Sequence, residues 1–161
     1  MKAQIRPFIN SDMDDIVQLS LLAWEPIFVS FSQILGQKIY AILYPDWRKS
    51  QQEGVETICK DKEKIITLVA EYNGSVIGFI AFELQQEKES GEVLLLAVHP
   101  EYQNKGIGTE LNKIALQMMK EAGMKMAVVE TGGDQSHASA RRTYQKSGYT
   151  PLPIVRYFKD L

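Results

Sequence analysis

The segment Gln103-Asn104-Lys105-Gly106-Ile107-Gly108-Thr109 sets two glycines one residue apart, with a lysine just ahead and a threonine just behind. Gly106 and Gly108 put no side chain between backbone and ligand and accept positive φ angles. Where such a loop runs into a helix, unpaired backbone N–H groups and the positive end of the helix dipole face the same point. Lys105 adds charge at the rim, so the chemistry on offer is pyrophosphate binding. Two nucleotide motifs are excluded. No Gly-Lys-Ser/Thr follows, as a P-loop needs, and Leu111 occupies the third glycine position of the dinucleotide fingerprint. Cys59, the single cysteine, has no Cys or His at metal-ligand spacing and is read as inert, with no metal site. His99 and the alternating charges Lys60 to Lys64 are assigned no chemistry.

The elements around this loop follow from patterning. Ala3 to Arg6 reads as a first strand, and Ser11 as the N-cap of a helix carrying Asp12, Asp14 and Asp15 in its first turn. From Trp24 to Lys64 the pattern is mixed, with aromatic-rich helical stretches and a helix after Pro45 running through Trp47 toward Ile58. Ile65 to Tyr72 and Ser75 to Leu84 are β-rich runs joined by Asn73-Gly74, a strong hairpin signal. Glu92 to Val98 makes the next strand and leads through Pro100 and the glycine loop into a helix. Leu111, Ile114, Ala115, Met118 and Ala122 line one face of that helix, and Gly123 closes it. Met126 to Glu130 is a strand, Ser136 to Ser147 a helix, and Ile154 to Lys159 a last strand. Hairpins followed by alternating strands and helices predict an α/β (α+β) fold. Its central sheet is mixed, mostly antiparallel, with six to seven strands and helices on both faces.

The chain has 161 residues, 45% of them hydrophobic, and 18 basic against 20 acidic side chains, a formal charge of -2. This fits one domain, residues 1–161, and leaves no broad basic surface for nucleic acid or an anionic membrane. The longest apolar runs fall short of a membrane span, and the first residues lack a signal peptide's apolar core. A cytoplasmic protein is expected.

With the elements placed, Leu96-Ala97-Val98-His99-Pro100-Glu101-Tyr102 and the glycine loop through Thr109 resemble the acyl-CoA-binding segment of the GNAT superfamily of N-acetyltransferases. They include its Gln/Arg-x-x-Gly-x-Gly/Ala signature. Further on, His137-Ala138-Ser139-Ala140-Arg141-Arg142-Thr143-Tyr144-Gln145-Lys146-Ser147-Gly148-Tyr149 resembles the helix that closes the coenzyme site in that superfamily. By motif the likeness covers Ile65 to Tyr149. It implies transfer of an acetyl group from acetyl-CoA to a primary amine, by direct attack in a ternary complex.

Residue by residue, the resemblance implies that backbone groups of Leu96 and Val98 hold the pantetheine arm. Amides of Gln103, Asn104, Lys105, Gly106, Ile107, Gly108 and Thr109 wrap the pyrophosphate, and Val98 N–H faces the thioester oxygen. Tyr144 takes the place of a phenol that protonates the leaving thiolate, the alternative being a packed helix tyrosine. His137 stands where many relatives carry asparagine and is assigned to the coenzyme, with general base as a minor alternative. An amine of pKa about 10.4 costs about 4.6 kcal/mol to neutralise at pH 7, so a base is useful. Glu92 matches a strand position that carries a glutamate base in some members. The alternatives are a surface position for Glu92, Glu130 acting through water, or no dedicated base. Trp24, Glu25 and Phe28 fall where the first helices border the acceptor pocket. The acceptor is a small-molecule or peptide amine, and a homodimer using the last strand is compatible with the resemblance. The alternative function is a noncatalytic acyl-CoA-binding regulatory module.

Overall fold

The computed structural model describes residues 2–161. One sheet runs β1 (Gln4–Pro7), β2 (Ile65–Tyr72), β3 (Ser75–Gln85), β4 (Ser90–Val98), β5 (Met126–Val129), in chain order. β1 to β4 pair antiparallel, whereas β5 lies parallel to β4. The β2–β3 turn is the expected Asn73-Gly74, with positive φ at both residues (51° and 78°), the twist a two-residue hairpin requires.

Four helices cover the sheet: α1 (Met13–Leu43), α2 (Trp47–Lys60), α3 (Ile107–Glu121) and α4 (Ala138–Lys146). Ser11 does not cap α1, because residues 10–12 form a 3-10 turn. Asp12 does the local work instead, accepting Ile9 N–H at 2.9 Å and both terminal nitrogens of Arg6 at 2.8 and 2.9 Å. Arg6 Nε reaches Glu71 at 2.8 Å, so one guanidinium joins β1, β2 and the entry to α1. Its hydrogen bonds hold the Asp12 carboxyl below the usual carboxylate range, against the upward push of burial.

The stretch that patterning left mixed is helical in pieces: α1 to Leu43, then α2, the helix expected after Pro45. α1 passes through Pro26 and turns at Gly36 (φ 74°, ψ 163°) before resuming to Leu43. In Asn10–Leu43 an 18-residue window reaches mean hydropathy 1.3, long and apolar enough to cross a membrane by composition alone. Ile16, Val17 and Leu19 seat its first half on the sheet, and further on Val29, Ile34 and Ile42 are exposed.

Two cores result. On one face Ile77, Ile80, Phe82 and Val93 meet Ile107, Leu111, Ala115 and Met119 of α3. Of the expected stripe Leu111 and Ala115 are buried, Ile114 and Met118 pack at the margin of this core, and Ala122 lies outside it. On the other, Val69, Phe79 and Ala97 meet Ile16, Val17 and Leu19 of α1 and Val55 and Cys59 of α2.

The sheet has five strands rather than six or seven, because residues 154–159 form no strand. Their β-prone residues leave the helical layer after Pro151 and Pro153 and meet no neighbouring strand, and a strand exists only through its ladder. Leu152, Ile154, Val155 and Tyr157 are all more than 70% exposed.

Candidate active site

The pairing of β4 with β5 stops at Val93↔Val129, yet β4 continues five residues further, to Val98. From Leu94 onward the β5 side of β4 therefore has no strand partner, and the two strands part into a cleft. The direction of the amides can be read from one bond. His99 N–H donates to Ile77 C=O at 2.9 Å, in register with the Gly78↔Val98 pair. Antiparallel strands alternate, so Val98 and Leu96 turn their amides away from β3 and into the cleft. Gln103 Nε2 donates to the Val98 carbonyl at 2.9 Å and leaves the Val98 N–H free.

The cleft encloses about 710 Å³. Its floor is Leu94 to Val98, its far end Gln103, Asn104, Gly106, Ile107, Gly108 and Thr109, and its side walls Trp24 on α1 and Tyr144 on α4. Gly106 is the N-cap of α3 at φ 87°, and no side chain caps the helix. The first bond into the helix is Glu110 N–H to Gly106 C=O at 2.9 Å, which leaves the amides of Ile107, Gly108 and Thr109 outside the intrahelical ladder. Asn104 too has positive φ (59°), so the loop curls its backbone around one point. An anionic pyrophosphate fits that cradle on charge and on donor count.

Lys105 differs from the other loop residues. Its Nζ donates to Glu101 C=O at 2.9 Å and lies 5.1 Å over the Tyr102 ring, and its side chain does not line the cleft. The cations in the cleft come from α4 instead: Arg142 and Lys146 both line it. Their spacing, four residues apart on a helix beside the glycine loop, was the signal that could have marked them.

Tyr144 is nearly buried, with its ring edge-on to Tyr149 at 5.6 Å. Burial, helped by repulsion from Tyr149, pushes its pKa up to about 12. The phenol stays neutral, a donor at every working pH. Glu92 lies at the start of β4, opposite Glu83, accepts a hydrogen bond from Gln85 at 3.1 Å and does not line the cleft. Glu130, at the end of β5, does line it.

Of the three residues expected at the acceptor pocket, Trp24 lines the cleft, beside Leu22, Ala23, Pro26 and Ile27 of α1, and Glu25 and Phe28 do not. Glu25 is bound by Arg48 at 2.5 Å and is not a free carboxylate. Phe28 stacks on Trp47 at 4.3 Å and packs edge-on to Tyr44, knitting α1 to α2. His137 reaches the cleft from the turn before α4, with Nδ1 2.5 Å from Asp134. Among the described residues no group of three or more His, Cys, Asp or Glu is placed to hold a metal ion.

A family model described as the acetyltransferase (GNAT) family matches residues 36–149. The chain belongs to the GNAT family. An N-acetyltransferase of Archaeoglobus fulgidus, itself uncharacterised, is 29% identical over 146 residues, 88% of each chain. The PaiA N-acetyltransferase of Thermoplasma acidophilum, solved with coenzyme A, superposes with TM-score 0.72 at 22% identity. It covers 93% of this chain and 91% of its own. A GNAT acetyltransferase from Brucella melitensis, solved with acetyl-CoA, gives TM-score 0.64 at 22% identity, covering 93% and 84%. The expected fold class and family are those found, and this GNAT chain is an acetyl-CoA-dependent N-acetyltransferase.

Proposed function

We propose that acetyl-CoA lies along the open edge of β4, its pantetheine bonded as a pseudo-strand to Leu96 and Val98. Its pyrophosphate rests on the amides of residues 103–109. The observation that carries this reading is the continuity of unpartnered donors, from the β4 edge straight into the uncapped start of α3. Arg142 and Lys146 supply the countercharge. The amine enters from the Trp24 side and attacks the thioester carbon directly. Val98 N–H receives the oxyanion, a donor whose loss typically costs about 2.7–4 kcal/mol. Tyr144 then donates toward the departing thiolate. Glu92 is too far along β4 to serve at this end of the strand: six residues at about 3.3 Å each are about 20 Å from Val98.

The acceptor is a small-molecule or peptide amine. Glu25, neutralised by Arg48, gives no support to a polycation-selective pocket. The reading also places the enzyme in the cytoplasm, where a single buried thiol is at home. It also pairs two chains through the exposed segment 152–161 and the outer half of α1. Apolar side chains of this number fit an interface better than bulk solvent. Light scattering tests that pairing: a dimer is expected for the full chain and a monomer after truncation at Thr150, and a monomeric full chain refutes it.

The test of function is a panel of primary amines with acetyl-CoA, read by thiol release and by mass spectrometry of product and protein. Acetylated amine with no acetyl on the protein is expected. An acetyl-protein that passes its group to the amine would replace direct attack with a covalent route.

A further inference from the structure

Just before α4 stands a cluster that the coenzyme-binding role leaves unused. His137 Nδ1 lies 2.5 Å from Asp134 Oδ1, and both side chains are only 13% exposed. The other carboxylate oxygen accepts from Ser30 Oγ of α1 at 2.7 Å, from Ser136 N–H at 3.2 Å and from the Ser136 hydroxyl. Both oxygens are thus committed. Burial would raise the Asp134 carboxyl, but the hydrogen bonds of Ser136, Ser30 and His137 outweigh it and keep the group ionised.

The surroundings are built to hold this pair. Phe31 of α1 stacks on the imidazole, centroids 5.7 Å apart at 28°. Arg141 Nη1 donates to the carbonyls of Gly132 and Asp134, both at 2.6 Å, and so locks the turn. The pair presses against the backbone of Gly132, where an added Cβ would stand 2.3 Å from Nδ1 and 2.6 Å from the carboxylate. Only glycine leaves room.

A carboxylate can only accept, so Nδ1 carries the proton and the neutral ring keeps its lone pair on Nε2. His137 lines the same cleft as Tyr144 and Trp24, at the junction of α1 with α4. We infer that the Asp134–His137 pair is the general base of the transfer, with His137 Nε2 taking the proton of the acceptor ammonium, directly or through one water. This rests on the acetyltransferase reading above. The charged groups around the ring are Asp134 and Arg141 on the turn and α4, with Arg142, Lys146 and Glu130 elsewhere in the cleft; α1 contributes the uncharged Ser30 and Phe31.

The protons balance. The ammonium gives one proton to Nε2, and the freed amine forms the C–N bond as the carbonyl pair moves to oxygen. Collapse breaks the C–S bond while the Tyr144 hydroxyl hydrogen-bonds the departing sulfur. The second proton lost by nitrogen reaches that sulfur as the bond breaks, so the phenol ends neutral. The products are amide and thiol, and the proton on His137 leaves to solvent.

The test compares wild type, His137→Gln and Gly132→Ala, measuring kcat/KM against pH with the best amine of the panel and coenzyme A affinity by calorimetry. Gly132→Ala displaces the pair without removing a titratable group. Both variants are expected to lose about 10²-fold near neutral pH and to recover as pH approaches the amine's own pKa. Their coenzyme affinity stays near wild type. A loss that is equal at all pH values and is matched by weakened coenzyme binding makes His137 a coenzyme contact and overturns the inference. Nitrogen NMR of the imidazoles gives a second measure that needs no turnover, with only His99 and His137 to assign. At alkaline pH, where the ring is neutral, the Nδ1–H tautomer of His137 is expected with and without coenzyme A, and an Nε2–H tautomer in either state overturns the base role. Failure of coenzyme A to bind wild type would instead strike the acetyltransferase reading itself.

Discussion

Replacing Tyr144 by phenylalanine removes one hydroxyl and keeps the ring that packs edge-on to Tyr149. With the phenol raised to about 12 and a thiol near 8.5, full proton transfer to the free thiolate is uphill by about 5 kcal/mol. Unperturbed groups would give about 2 kcal/mol, so burial makes a prior proton transfer less accessible than free values suggest. The phenol acts as a hydrogen-bond donor to sulfur as the C–S bond breaks. A bond from a neutral donor to an ionised partner is worth about 1.5–3 kcal/mol, hence a loss of about 10- to 150-fold in kcat. Coenzyme affinity should hold, since the thiolate exists only late in the reaction. The assay is thiol release at saturating acetyl-CoA, with calorimetry for affinity. Unchanged kcat would show a merely packed tyrosine and refute the reasoning. Stability supplies a second signature. A buried phenol whose folded pKa exceeds its unfolded value of about 10 contributes stability that is intact below pH 10. That stability falls by about 2–3 kcal/mol as pH rises toward 12, and Tyr144→Phe should lack this alkaline loss.

Gly106→Asp should weaken coenzyme binding by at least about tenfold, from like charge at the pyrophosphate cradle and strain at positive φ; calorimetry that shows no change removes the loop from the coenzyme site. Arg6→Ala should destabilise the fold by about 2–3 kcal/mol in urea melts, because it strands the buried Asp12 carboxylate. Since the folded Asp12 pKa is depressed, the stability from this pair is present above the unfolded value of about 3.9 and is lost as pH falls below it. Acid unfolding of wild type should therefore steepen there, and the Arg6→Ala curve should be flatter. Cys59, buried in the second core with its thiol pushed up by burial, should resist aromatic disulfide reagents until urea unfolds the chain; prompt labelling of the native protein would contradict the packing.

What was legible in the sequence was what is local. Asn73-Gly74 dictates a turn by its own φ preferences, and the apolar stripe of α3 is spaced by the helix that it forms. The glycine loop binds through backbone, so its residue types announce it. α1 was less readable, since packing on the sheet carries the helix through the breaker Pro26, whereas Gly36 does interrupt it and the helix resumes beyond. Charged side chains were least readable. Glu25 is taken by Arg48, Lys105 folds back on Glu101, and the Asp134–His137 pair depends on Ser30, 104 positions away. Residues 154–159 carry strand-like composition, but no pattern in a chain states whether a partner strand stands beside it.

The measurement that bears most directly on the central claim is a calorimetric titration with acetyl-CoA, followed in the same sample by thiol release on adding the amine panel. One site per chain and amine-dependent thiol release are the predicted result. Binding without release from any amine would leave a coenzyme-binding module in place of the enzyme, and no binding at all would contradict the account at its root.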